Sequence, residues 1–234
     1  MEPLYQTNVK CACCGDTFAT SKVRPSFKKP VAKDTDFYQK YNGINPDYYV
    51  IRVCPHCGYS CSESFTEKLN QQQVEKIRSE VSAHWTKKDY GGERDWDQAL
   101  ATFKLGLICA QLIGEKERVI AGLLHHIAWL YREKDDWEQE EKFLKFALDA
   151  YIAVYEREGM EINNAKLMYV IGELYRRIKS YQEAVKWFSR IIQDKRIMDA
   201  AIIKKARDQW ALIRDEMLSS KMELPAEMRE AENA

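Results

Sequence analysis

Two short strings constrain this chain more than anything else in it: Lys10-Cys11-Ala12-Cys13-Cys14-Gly15 and Val53-Cys54-Pro55-His56-Cys57-Gly58-Tyr59. Each is a Cys-x-x-Cys-Gly turn that aims two sulfurs at one point. The glycine after the second cysteine admits a left-handed backbone, which lets nearby amides turn toward the sulfurs. Together, Cys11, Cys14, Cys54 and Cys57 supply four thiolates, a closed tetrahedral shell suited to one zinc ion (Zn2+). Such a shell keeps no open position for water or substrate, so the expected role is structural. Iron is the competitor at a four-thiolate site. The 39 residues between Cys14 and Cys54 exceed what a compact finger needs and must form an inserted hairpin or loop. Cys13 and Cys61 are spare sulfurs with poorer spacing. Cys109 lies among Leu107, Ile108 and Leu112 and reads as core packing.

Two other readings compete. A Cys-Pro-His-Cys string after a strand also suits a thiol redox protein using Cys54 and Cys57. Against it, Gly58 follows directly, no helical pattern starts at Pro55, and a matching knuckle stands upstream. The cysteines can also be plain core residues, which two matched knuckles disfavour. A disulfide framework would suit an exported chain, but Met1 to Val9 show no basic stretch followed by an apolar one. No apolar run reaches the roughly 18 residues of a membrane helix. The expected location is the cytoplasm.

Proline divides the chain. Residues 1–61 hold five of the six prolines and six of the seven cysteines, whereas residues 62–224 hold no proline. Three segments follow: a zinc-ribbon-like part over 1–62, a helical part over 63–220 and a polar tail over 221–234 that frays. In the first, residues 48–53 and 18–23 are β-branched and aromatic and predict strands, while 34–46 predict a short helical or irregular insertion. In the second, apolar spacing predicts about seven helices, near residues 64–87, 95–112, 115–132, 136–157, 164–178, 181–194 and 199–218. Gly114 is a natural stop for the second and Ser180 a natural N-cap for the sixth.

A repeat runs through these helices. Ile127-Ala128-Trp129-Leu130-Tyr131-Arg132 returns as Ile171-Gly172-Glu173-Leu174-Tyr175-Arg176, offset by 44 residues. Past a short turn, Asp136-Trp137 answers Ser180-Tyr181 and Phe143-Leu144 answers Trp187-Phe188. Asp95-Trp96-Asp97-Gln98-Ala99 repeats the second half earlier. Small residues (Ala128, Gly172, Ala99, Ala184) let paired helices approach, and Tyr131, Tyr175, Leu144 and Phe188 fill the space between pairs. This resembles the tetratricopeptide repeat of about 34 residues. Residues 165–198 match best, with Met168 in the place of the usual Trp and Arg196 in the place of Pro. The copy before it puts Glu140 where a small residue belongs. The fold class expected is mainly α: a tetratricopeptide-like stack preceded by a small β-containing ribbon.

Lys plus Arg is 36 and Asp plus Glu is 36, so no net charge draws the chain to nucleic acid or an anionic surface. Lys22, Arg24, Lys28, Lys29 and Lys33, with Phe27 and Tyr38, form a local basic patch, but Asp34 and Asp36 follow at once. There is no Gly-rich phosphate loop, no His-Glu-x-x-His and no Gly-x-Ser-x-Gly. His125 and His126 diverge by about 100° on a helix, so one metal cannot easily take both. Asp135-Asp136 and Glu140-Glu141 read as solvated charges at a helix start, favoured by the macrodipole.

Stacked helix hairpins bind through the concave face of their first helices. On this chain those positions are His125, Trp129 and Arg132, then Tyr169, Glu173 and Arg176. A Trp and a Tyr among arginines suit a peptide and its carboxylates. The function expected is that of a non-enzymatic, zinc-binding scaffold for a protein or peptide partner. The alternatives are a nucleic-acid-associated zinc ribbon and, behind it, the thiol redox protein.

The chain also resembles an uncharacterised family of bacterial proteins, domain-of-unknown-function family 2225. The resemblance rests on both knuckles, on Asp34-Thr35-Asp36-Phe37 with Tyr41, and on Asn45-Pro46 and Tyr49-Val50 leading into the second knuckle. It continues in Ala121-Gly122-Leu123 and Ala128-Trp129-Leu130-Tyr131-Arg132. It implies a bacterial cytoplasmic protein with a metal-binding-like front and a tetratricopeptide-like rear, and it implies no reaction.

Overall fold

The computed structural model describes residues 1–158 and 164–230. The chain is mainly α-helical, and among the described residues the short antiparallel hairpins lie within the first 61. It divides into two compact units, Met1–Phe143 and Leu144–Ala234. The expected division at residue 62 followed composition. The first unit instead joins the cysteine-bearing hairpins to the first three helices.

In that unit, β1 (Leu4–Lys10) pairs with β2 (Thr17–Val23) from Leu4↔Val23 to Lys10↔Thr17. Small strands β3 (Ala32–Lys33) and β4 (Gln39–Lys40) pair within the expected insertion, which is otherwise irregular. Then β5 (Arg52–Val53) pairs with β6 (Ser60–Cys61). The strand expected over 48–53 is cut short because Pro46–Tyr49 form a 3-10 turn that Asn45 caps through the Asp47 amide. Arg94 holds this stretch in place. Its buried guanidinium donates to the carbonyls of Tyr48, Ile51 and Tyr90, and burial lowers its pKa to about 10.

Helix α1 (Gln71–Glu80) is much shorter than the sequence pattern suggested. Asn70 and Gln73 close a capping box that fixes its start, and the backbone amide of Thr66 before it is bound by the Glu115 carboxylate. Its end gives way to a 3-10 turn, Ser82–His84, that serves the second knuckle. Helix α2 (Trp96–Ile113) starts on a second capping box, Asp95 with Gln98, and stops at left-handed Gly114 as expected. Gly106 on α2 lies against Ile51, where a Cβ would come within 3.2 Å of that side chain. Helix α3 (Glu117–Glu133) packs on α2. One apolar cluster contains Cys11, Cys54, Ile51, Ile77, Phe103 and Ile127, so knuckles and helices share a core.

Helix α4 (Trp137–Glu158) contains the division between the units. In the second unit, α5 (Ala165–Arg177) and α6 (Tyr181–Gln193) form a tetratricopeptide-like hairpin, followed by α7 (Ala200–Ser219). The close approach expected at Gly172 is present: a Cβ there would sit 2.8 Å from the Phe188 ring. Tyr169, Phe188, Ile191 and Ile213 are fully buried between these helices. Ser180 stands at the N-cap of α6 but makes no capping bond through its side chain. The expected fraying tail is different in part. Residues 226–230 form a short helix, α8 (Ala226–Glu230), packed on α6 with Pro225 and Met228 buried. Residues 231–234 lie outside the described residues.

Candidate metal centre

The two knuckles have the same backbone. In the first, the Gly15 amide donates to the Cys11 carbonyl and the Cys11 amide to the Asp16 carbonyl. In the second, the Gly58 amide donates to the Cys54 carbonyl and the Cys54 amide to the Tyr59 carbonyl. Gly15 and Gly58 are left-handed, with φ of 83° and 75°, as the Cys-x-x-Cys-Gly pattern requires. Each knuckle is the turn of a hairpin, β1–β2 for the first and β5–β6 for the second.

The hairpins bring Cys11, Cys14, Cys54 and Cys57 together, with all four Sγ atoms within 4.8 Å of one another. Cys11 and Cys57 are 3.6 Å apart, and Cys14 and Cys54 3.7 Å. These close pairs run between knuckles. A tetrahedron with metal–sulfur bonds of about 2.3 Å has edges of about 3.8 Å, so the spacing fits a four-thiolate ion. The cluster can therefore hold a metal ion. Among the described residues no other group of His, Cys, Asp or Glu meets the same test.

The surroundings favour a closed site. Cys11, Cys54 and Cys57 are buried and Cys14 half-buried. The Cys13 amide points at the Cys11 sulfur, 3.4 Å away. Helical segments hold the second knuckle from outside. The Ser82 hydroxyl donates to the Cys57 carbonyl and the Trp85 indole N–H to the Pro55 carbonyl. Trp85 lies so near Gly58 that a Cβ there would be 2.7 Å from the ring. Without a cation the crowded sulfurs favour their protons. Sharing a hydrogen bond with Cys57, together with burial, pushes the Cys11 thiol up, and burial pushes Cys14 up to about 12. A divalent ion removes this penalty by replacing the protons. A redox pair of the thioredoxin type needs its first cysteine at a helix start. Cys54 instead lies between two strands.

Of the spare sulfurs, Cys13 lies against the cluster and shares a hydrogen bond with Cys57. Cys13 is buried, Cys61 is half-buried on β6, and the Cys109 sulfur accepts from the Ser60 amide inside the core.

The six groove residues are placed otherwise than a peptide groove requires. His125, Trp129 and Arg132 do share a face of α3, but the chain's own insertion occupies it. The Asp36 carboxylate, 1% exposed, accepts from the Trp129 indole at 3.0 Å. It also meets Arg132 through two nitrogens at 2.6 and 3.0 Å, and His125 Nε2 lies at 3.3 Å. Arg132 further reaches Asp34 at 3.0 Å and Glu140 at 2.7 Å, and lies over the Tyr38 ring. Glu140 is thus buried rather than solvated, which explains a carboxylate where the repeat expects a small residue. Asp136 does cap α4, through the Gln139 amide. His126 also packs, stacked on Phe103. In the second unit Tyr169 and Glu173 are fully buried, and Arg176 pairs with Glu173 at 2.6 Å. Of the expected basic patch, Lys22 pairs with Glu63 at 2.7 Å and Lys33 covers Phe37.

The fold and the cluster define a mainly α-helical protein whose N-terminal hairpins carry four cysteines able to hold a metal ion. The chain belongs to domain-of-unknown-function family 2225, described as an uncharacterized protein conserved in bacteria, whose model matches residues 4–213. No curated protein and no solved structure matches it. Among the described residues no helix is long and apolar enough to cross a membrane.

Proposed function

We propose that the protein is a non-enzymatic, zinc-stabilised scaffold of the bacterial cytoplasm. The zinc is held by Cys11, Cys14, Cys54 and Cys57, and the helical hairpins of the second unit present a surface to a protein or peptide partner. The observation that carries the reading is the convergence of four sulfurs, from two knuckles with the same backbone bonding, at a spacing that fits a tetrahedron. Soft thiolates select zinc or iron over hard cations, and four of them saturate zinc without leaving a reactive position. The shared core of knuckles and helices supports a structural role, because the ion then braces the first unit rather than a separate finger.

Elemental analysis with thiol counting, on protein purified without chelator, tests this directly. One zinc per chain is expected. Four of the seven cysteines, Cys11, Cys14, Cys54 and Cys57, should then resist alkylation in the folded protein and become reactive once a chelator strips the zinc. Stoichiometric iron, or a disulfide between Cys54 and Cys57, removes the reading. For the partner, Arg176 is half-buried on the second unit and held by Glu173, and an Arg176→Ala pulldown that retains every partner counts against that face.

A further inference from the structure

The fold changes the charge balance of the basic patch. In sequence order Asp34 and Asp36 stand next to its lysines, but both carboxylates bind the Arg132 guanidinium, at 3.0 and 2.6 Å. No Asp or Glu occurs from Thr17 to Lys33. Lys22 is paired with Glu63 at 2.7 Å. What remains is a run of cations, Arg24, Lys28, Lys29 and Lys33, with Lys40 opposite Ala32 in the β3–β4 pairing. Among the described residues Lys28, Lys29 and Lys40 form no ion pair.

The same run holds apolar side chains in the open. Residues 25–33 are exposed without exception. Phe27 is 38% and Val31 67% exposed. A 3-10 turn, Pro25–Phe27, shapes one end, and the Val31 amide donates to the Lys40 carbonyl at 2.8 Å near the other. Most aromatic rings nearby are already taken. Arg24 lies over Tyr5, Lys33 over Phe37, and Tyr38 is buried beneath Arg132. Phe27 alone of these rings is both exposed and uncovered. A single-stranded nucleic acid needs successive open rings for its bases to stack on, and the aliphatic Val31 offers a base no such platform. Lysines flanking exposed apolar residues suit instead the boundary of an anionic bilayer. There the headgroups meet the cations and the acyl chains meet the apolar side chains.

We propose that residues 24–33, with Lys40, dock the protein peripherally on an anionic lipid surface, with Phe27 and Val31 entering below the headgroups. The reading does not depend on which metal the four cysteines hold.

Vesicle cosedimentation of the full chain tests this, with mixed phosphatidylglycerol–phosphatidylcholine vesicles set against phosphatidylcholine alone. Binding is expected only where phosphatidylglycerol is present and should weaken as salt rises. Lys28→Gln with Lys29→Gln should weaken it about 25-fold, roughly fivefold for each lysine near the surface. The same pair of changes at Lys87 and Lys204, exposed cations elsewhere, should leave it nearly intact. Phe27→Ala and Val31→Ala should each weaken it severalfold without altering its salt dependence. All six positions are exposed, so Tm should hold in every variant. Absence of binding to the phosphatidylglycerol vesicles, or equal binding to phosphatidylcholine, overturns the proposal. So does indifference to both apolar variants, or a loss at Lys87 and Lys204 as large as that at Lys28 and Lys29. Tighter binding of a uridine oligonucleotide or of poly-glutamate than of the vesicles, at equal salt, also overturns it and assigns the patch to nucleic acid or to an acidic protein.

Discussion

Asp36 shows what a single side chain does here. Burial alone would push its pKa up, but hydrogen bonds from His125 and Arg132, and the Arg132 charge, hold it well below the usual carboxylate range. Asp36→Asn leaves Arg132 with a weaker partner in a dry site, so a loss of about 3–5 kcal/mol is expected in urea unfolding. The pH dependence follows from the two lowered values. Burial lowers the His125 pKa, although Asp36 opposes this. A group whose pKa is lowered on folding contributes stability above its unfolded value and loses it as the pH falls. Stability should therefore decline first below about pH 6.5 through His125, then below about pH 4 through Asp36. His125→Gln should flatten the first decline in urea midpoints taken between pH 7.5 and 5. A wild-type midpoint that rises over that range would show His125 charged in the fold. Part of this site was legible: His125, Trp129 and Arg132 fall on one helical face, and their chemistry suits a carboxylate. Which carboxylate was not, because Asp36 lies 89 to 96 residues away and no local pattern links the two. The cysteines were legible because their spacing fixes their geometry within five residues.

At the scale of the element, helices were read well wherever caps and periodicity agreed. Asp95 and Gly114 bound α2 as expected. The reading failed at α1, whose amphipathic pattern runs on past Val81 while the backbone turns aside. There Ser82 and Trp85 bind the second knuckle, and that tertiary demand overrides local propensity. β1 escaped notice because only Leu4, Thr7 and Val9 are even half-buried along it. The α5–α6 hairpin gives the sharper test. Gly172→Ala improves intrinsic helix propensity by about 1 kcal/mol. Yet its methyl would lie 2.8 Å from the Phe188 ring, and relieving such overpacking costs about 1–3 kcal/mol. A net loss is expected in thermal unfolding. Phe188→Leu added to Gly172→Ala should cost less than Phe188→Leu alone costs in the wild type. Strict additivity of the two changes would show that the contact does not limit the approach of these helices.

For the molecule as a whole, the question is how far the metal's influence extends. A ribbon that folded by itself would lose its own structure on chelation and leave every helix intact. The core argues for a wider effect, because Cys11, Cys54 and Cys57 pack in one cluster with Ile77 of α1, Phe103 of α2 and Ile127 of α3. Zinc bound by such thiolate sites contributes on the order of 10–16 kcal/mol, as much as the whole stability of a typical domain. Stripping the ion restores protons to sulfurs that crowding and burial already disfavour as anions. Hydrogen exchange read by mass spectrometry, before and after a strong chelator, should then show amides of residues 5–23, 52–61 and 71–113 losing protection together. The α5–α7 segment has a core of its own, built on Tyr169, Phe188, Ile191 and Ile213, and should keep its protection. Loss confined to residues 1–62 would restore the compositional boundary as a boundary of stability. Loss that reached α2 would show that proline and cysteine content marks where the chain changes character, while shared burial decides what folds together.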